Sequence, residues 1–164
     1  MNFTFDSKST QKSYFKSEDY FPVMIVFSEE ELNSHFIQFS LWPTDMFELC
    51  VNSKTHVLKK LVFTLCNHVV VHNDQKITYP EHQEGCIKVS GPESNNYGIF
   101  ITHIFTDGLR IELSDTPAVR HLKCGQLIFA FDPDNNLVSL YIVDLTEKDM
   151  NHIIKELRHK QVLN

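Results

Sequence analysis

Glycine is scarce in this chain, at 5 of 164 residues, and tryptophan occurs once, whereas phenylalanine occurs 13 times. Few Gly and many Phe suit a packed core and argue against a disordered or low-complexity protein. Cys50, Cys66, Cys86 and Cys124 stand far apart with no Cys-x-x-Cys pair. Such spacing predicts four free thiols in a reducing cytoplasm, several of them in the core. No window approaches the roughly 18 consecutive apolar residues of a membrane-spanning helix. The opening "MNFTFDSKSTQKSYFKSEDYFP" lacks the basic region and apolar core of a signal peptide. The expectation is therefore a cytoplasmic protein with no membrane partner.

Positive charge is also in short supply. Fifteen Lys and Arg face 21 Asp and Glu, for a formal charge of −6. A general nucleic-acid binder needs a basic face to neutralise phosphates, so nucleic acid is not an expected partner. The excess of acid leaves either a solvated surface or a basic partner.

Catalytic motifs are missing too. There is no Gly-x-Ser-x-Gly elbow, no Ser-x-x-Lys and no phosphate-binding Gly-x-x-x-x-Gly-Lys loop. "KCGQ" around Cys124 is not a nucleophile context, and 21 acids without a motif identify no acid–base pair. The expectation is a protein that is not an enzyme and needs no cofactor.

What is present is a rhythm of short strands. A chain of this length fits one globular domain, residues 1–164, able to bury roughly 70% of its unfolded surface. Residues 1–20 lack a clear period and read as an arm, an edge strand or a short helix. "PVMIVF" (22–27) is an apolar run of strand length. Ser28 and Glu31 have capping-box spacing, which predicts a short helical turn. "HFIQFSLW" (35–42) and "MFELCV" (46–51) alternate with strand period around a Pro43–Asp45 turn. Further strands are expected at 57–65, 69–72, 86–89, 98–105 and 109–113. Residues 73–85, "NDQKITYPEHQEG", read as the longest exposed loop. Asp107-Gly108 between alternating runs is a strong hairpin signal. Strands at 127–131 and 137–143 precede a helix opened by Thr146 and Asp149, with Met150, Ile153, Ile154 and Leu157 as its apolar stripe. The whole predicts an α+β, mostly β fold: an antiparallel sheet or pair of sheets with the C-terminal helix packed on one face.

Two features bear on metal. Asp132-x-Asp134-x-Asn136 begins like a calcium loop, but Leu137 and Val143 occupy the positions that require Gly and Glu. Asp, Pro and Asn are also what a hairpin turn uses for backbone reasons. His68 and His72 would share an ion on a helix. The Val69–Val71 between them favours a strand, which separates them by about 13 Å. No metal site is expected.

The acidic segments read as a surface. Glu29, Glu30 and Glu31 form one cluster, Glu81 and Glu84 flank Tyr79 in the long loop, and Asp132 and Asp134 occupy the hairpin. Tyr79 and Trp42 are candidate aromatic anchors for a partner. The 73–85 loop is the preferred contact, because it joins an aromatic ring to carboxylates.

With its small, acidic, motif-free character, and on "MIVFSEEELNSHFIQFSLWP" and "GQLIFAFDPDNNLVSLYIVDLTEKDMNHIIKEL", the chain resembles the immunity proteins of bacterial contact-dependent growth inhibition and related polymorphic toxin systems. The resemblance implies a cytoplasmic protein that binds a cognate, basic, nuclease-type toxin domain and occludes its active site. The alternative is a small cytosolic enzyme or ligand-binding domain with a site inside the β core. A third reading is a regulatory subunit acting through an exposed sheet edge.

Overall fold

Period-two alternation of apolar residues fixes which side of each strand faces inward, and the inward sides meet in one core. The computed structural model describes residues 1–30 and 32–160. In chain order its strands are β1 (Asn2–Asp6), β2 (Tyr14–Phe15), β3 (Val23–Val26), β4 (Ser34–Leu41) and β5 (Asp45–Asn52). There follow β6 (Leu58–Leu65), β7 (Val69–Val71), β8 (Gln83–Glu84), β9 (Cys86–Ser90) and β10 (Ser94–Asn96). The last are β11 (Ile101–Ile104), β12 (Leu109–Glu112), β13 (Arg120–Cys124), β14 (Leu127–Phe131) and β15 (Leu137–Ile142), before helix α1 (Glu147–His159).

One sheet has six strands in the order β10-β4-β5-β6-β3-β2, and another has seven in the order β7-β11-β12-β15-β14-β13-β8. A two-stranded ribbon, β1-β9, completes the set. Most neighbours are antiparallel, many of them hairpin partners, while β10–β4, β7–β11 and β8–β13 are parallel. The fold is α+β and mostly β, as the alternation predicts.

The main core draws on both sheets, the ribbon and the helix. Phe39 stacks on Phe47 at 4.7 Å, Phe47 on Phe63 at 6.0 Å, and Phe100 closes on both. A second, smaller cluster lies on the other side of β14 and β15, where Ile128, Ala130, Val138, Tyr141 and Val143 meet Ile77 and Tyr79. Burial on both faces explains why "LIFAF" and "LVSLYI" are nearly continuous apolar runs.

Several sequence expectations change. The helical turn at Ser28 does not form among the described residues. Instead the Phe27 and Ser28 N–H groups both donate to the Lys59 carbonyl, at 2.8 and 3.1 Å, prolonging the β3–β6 pairing. Of the readings open for residues 1–20, the strand holds: β1 pairs with β9, and β2 is an edge strand. The 73–85 segment is partly tied down, since Ile77 is buried and Gln83–Glu84 pair with β13. The strand expected at 98–105 is confined to Ile101–Ile104.

The helix matches its signals. Asp149 N–H donates to Thr146 Oγ1 and Thr146 N–H to Asp149 Oδ2, a reciprocal capping box. Met150, Ile153 and Leu157 are buried in the main core, and Ile154 is half-buried. Glu156 is also buried, its Oε2 accepting the Tyr20 N–H at 3.2 Å. Lys160 Nζ donates to the Thr64 carbonyl at 3.1 Å, and Phe15 meets the His152 ring, so the helix docks against the six-stranded sheet.

Leu157→Asp or Ile153→Asp should unfold or aggregate the protein, because an unpaired buried carboxylate costs several kcal/mol of a typical ~5–15 kcal/mol stability. Thr146→Ala should cost only about 1 kcal/mol. Urea denaturation of the three variants checks both, and a parental midpoint for Leu157→Asp would mean that the stripe is not buried.

Candidate functional site

The Asp132–Asn136 turn is built for the backbone. Asp132 Oδ1 accepts the Asn136 N–H at 2.8 Å and Oδ2 accepts the Asn136 side-chain amide at 3.0 Å. Asn135 takes positive φ, +66°. These bonds hold the Asp132 carboxyl below its usual range, led by the Asn136 side chain. The turn reading stands, and Asp134 is left exposed at its tip. Among the described residues no three His, Cys, Asp or Glu side chains converge on a point that suits a metal ion.

The histidines separate as strand geometry predicts, with His68 before β7 and His72 after it. His68 Nδ1 donates to the fully buried Asp45 carboxylate. The other oxygen of Asp45 accepts the Asn67 and His68 N–H groups at 2.7 and 2.9 Å, fixing the chain where it leaves β6. His72 stacks on Phe105 at 4.5 Å and its Nε2 lies 3.0 Å from His103 Nδ1. His103 Nε2 donates to Glu112 Oε2 at 3.2 Å, and Arg110 reaches the same oxygen at 3.1 Å. With Nε2 as donor, neutral His103 accepts from His72 through Nδ1, so the chain of bonds is satisfied without a substrate. Burial pushes the His103 imidazole below its usual range and the Arg110 charge adds to this, against the opposing bond to Glu112. Burial and then the nearby His82 do the same to His121.

Nothing here resembles an activated nucleophile. The four cysteines are free and buried. Burial pushes the Cys66 and Cys124 thiols up to about 12, far from a thiolate at neutral pH. An open cleft of about 390 Å³ is bordered by Gln11, Lys12, Glu84, Lys123 and Asp144, and there Lys123 pairs with both Glu84 and Asp144.

The acidic residues fall into two groups on different sheets. On the seven-stranded sheet, Tyr79 is half-buried in the small cluster, 5.7 Å from the His82 ring, with Lys123 over its face. Glu84 lies 3.7 Å from both Lys123 and His82, while Glu81 is exposed beside an open cleft that includes Arg120. Arg120 bonds Asn135, which connects this edge to the turn holding Asp132 and Asp134. On the six-stranded side, Glu29 accepts from the Tyr14 hydroxyl and lies 3.6 and 3.8 Å from Lys16 and Lys60. Glu30 is exposed, and Glu31 lies outside the described residues.

The structure adds a surface that the sequence reading did not single out. Inward Ile37, Phe39, Phe47, Leu49, Leu61 and Phe63 leave Phe36, Gln38, Met46, Glu48, Val62 and Met24 on the outer face of the six-stranded sheet. No hydrophobic cluster forms over that face among the described residues. Phe36 is 50% exposed, and Trp42, in the turn just after β4 and joined to cis Pro43, is 68% exposed. The signal was present in "HFIQFSLW", whose Phe36 falls on the polar phase of the strand.

Compared with known proteins, the chain matches no family model and no curated protein.

Stability should fall as pH drops below about 6.5, the ordinary imidazole value. His103 and His121 have lowered folded values, so their contribution is full above that pH and is lost as the unfolded chain takes up protons first. Melting curves on either side of pH ~6.5 should show this decline, reduced in a His103→Gln/His121→Gln variant. A metal chelator should leave the parent's melting temperature unchanged. A chelator-induced drop, with one equivalent of metal found by elemental analysis, would refute the turn reading of Asp132.

Proposed function

We propose that this chain is a cytoplasmic, toxin-neutralising immunity protein that docks on a cognate basic toxin domain and occludes its active site. The observation that carries this reading is the outer face of the six-stranded sheet. The other sheet covers its own outer face with Ile77 and Tyr79, whereas this one presents Phe36 to solvent in the same row as Lys60, which Glu29 reaches, with Trp42 exposed beyond the far end of β4. Exposed aromatic anchors within an acidic surround suit a protein partner that carries positive charge.

The runner-up, an enzyme or ligand site inside the β core, has less support. Stacked Phe39, Phe47, Phe63 and Phe100 fill the space between the sheets, and the histidine network is satisfied internally. No helix among the described residues is long and apolar enough to cross a membrane.

The preferred contact also moves. Tyr79 and Glu84 are engaged with their own fold, so the six-stranded face, with its exposed Phe36 and with Glu29 and Glu30 at its margin, is the better docking surface, and Glu81, Asp132 and Asp134 become peripheral.

The test uses the toxin domain encoded beside this gene, assayed for binding at two salt concentrations and for protection of cells. Phe36→Asp should weaken binding at least about thirtyfold, the effect of losing a ~2 kcal/mol anchor, without unfolding the domain. Charge reversal of Glu29, Glu30 and Glu31 should slow association and reduce salt sensitivity, with a smaller effect from reversing Glu81 and Glu84. If every variant binds and protects like the parent, this docking mechanism is wrong. If no toxin gene lies nearby and no basic partner binds, the immunity reading itself fails.

A further inference from the structure

One carboxylate on the six-stranded sheet has no partner among the described residues. Glu48 lies in the middle of β5, opposite Gln38 on β4 and Val62 on β6. Met46 shares its face of the strand, Phe36 lies on the neighbouring β4, and Met24 lies on β3, one strand beyond β6. The side chain is half-buried, yet among the described residues it makes no hydrogen bond and no ion pair. The nearest lysine along this face, Lys60, is directed at Glu29, 3.8 Å away. Several other carboxylates are paired: Glu18 with Lys16, Glu84 and Asp144 with Lys123, Glu112 with Arg110. Burial alone raises the Glu48 carboxyl above its usual range, with nothing opposing it.

A partly desolvated charge among apolar side chains is a standing cost to the free protein. It is also half of an ion pair whose desolvation has begun before any partner arrives, inside a ring that will exclude water on docking. We propose that Glu48 receives an arginine or lysine from a protein partner that lies face-on across β4, β5 and β6, with Phe36 and Met46 as its apolar collar. The inference rests on the reading of the chain as a toxin-binding protein only for the choice of that partner. A second copy fits poorly. A two-fold axis through the centre of the face would bring two Glu48 carboxylates together.

The experiment compares Glu48→Gln and Glu48→Leu with Asp115→Asn, an exposed acid in the loop after β12 of the seven-stranded sheet. In the free protein both Glu48 variants should melt at or above the parental temperature, because they remove an unpaired charge. A lower melting temperature would show that the carboxylate is already paired, overturning the inference. Against the neighbouring toxin domain, Glu48→Gln should lose at least about thirtyfold in affinity, and Asp115→Asn no more than about threefold. Unchanged binding by Glu48→Gln overturns this inference and leaves the immunity reading standing. A parent that does not bind the toxin domain overturns both. A concentration-dependent dimer of the parent, abolished by Phe36→Asp, would assign the face to a second copy and overturn the proposal as well.

Discussion

The stack of Phe39, Phe47 and Phe63 across β4, β5 and β6 is the contact on which the rest of the molecule depends. Strand side chains alternate, so placing these three rings inward fixes the facing of every other residue on the three strands. A slip of one residue would drive Glu48 into the core and expose Phe47. The register that buries the rings therefore also puts Phe36, Met46 and Glu48 on the outside. Phe100, contacting both Phe47 and Phe63, carries the same constraint to the second sheet just before β11 begins. From there the antiparallel ladder through β12 and β15 sets Arg110, Glu112 and Tyr141 on the far side.

Local chemistry was legible wherever the physics is local. The Asp107-Gly108 hairpin, the Asp132 turn and the Thr146–Asp149 capping box each need partners only a few residues away, and all three formed. The alternation in "HFIQFSLW" and "MFELCV" was equally plain, because burial of one face is written directly into it. What escaped is long-range. Ser94–Asn96 have no apolar pattern, and they join β4 through backbone pairing and the bond from Asn95 to the Gln38 carbonyl. Arg120–Cys124 hide a strand period in Leu122 and Cys124 behind charged neighbours. The Ser28 signal failed because Lys59, thirty-odd positions away, offered its carbonyl to the same backbone donors. His72–His103 and His68–Asp45 likewise join residues that no spacing rule connects.

The site shows the same division. Acidic residues are visible in a sequence, but whether their charge is free to act is not. Glu29 faces two lysines and a tyrosine hydroxyl, Glu84 faces Lys123, and Asp132 is used up by the turn it closes. Net charge of −6 therefore overstates the acid available to steer a partner. Glu48 drew no notice in the sequence because a single Glu at a polar strand position is ordinary. It becomes informative only when the two neighbouring strands, β4 and β6, are seen to bring it no cation.

The edges of the two sheets bear on how a partner can approach. The end strands of the six-stranded sheet are β10 and β2, of three and two residues, and those of the seven-stranded sheet are β7 and β8, also three and two. An added strand gains affinity from a run of free backbone donors and acceptors, and so short a template supplies few of them. Short edges also protect a β protein from pairing with copies of itself. An exposed apolar face does not carry the same hazard, because it offers side chains in place of open backbone, and an unpaired carboxylate at its centre repels an identical face. Short end strands on both large sheets and a charged face between them fit the proposed mode of association, a complementary surface laid flat over β4, β5 and β6 that brings its own positive charge.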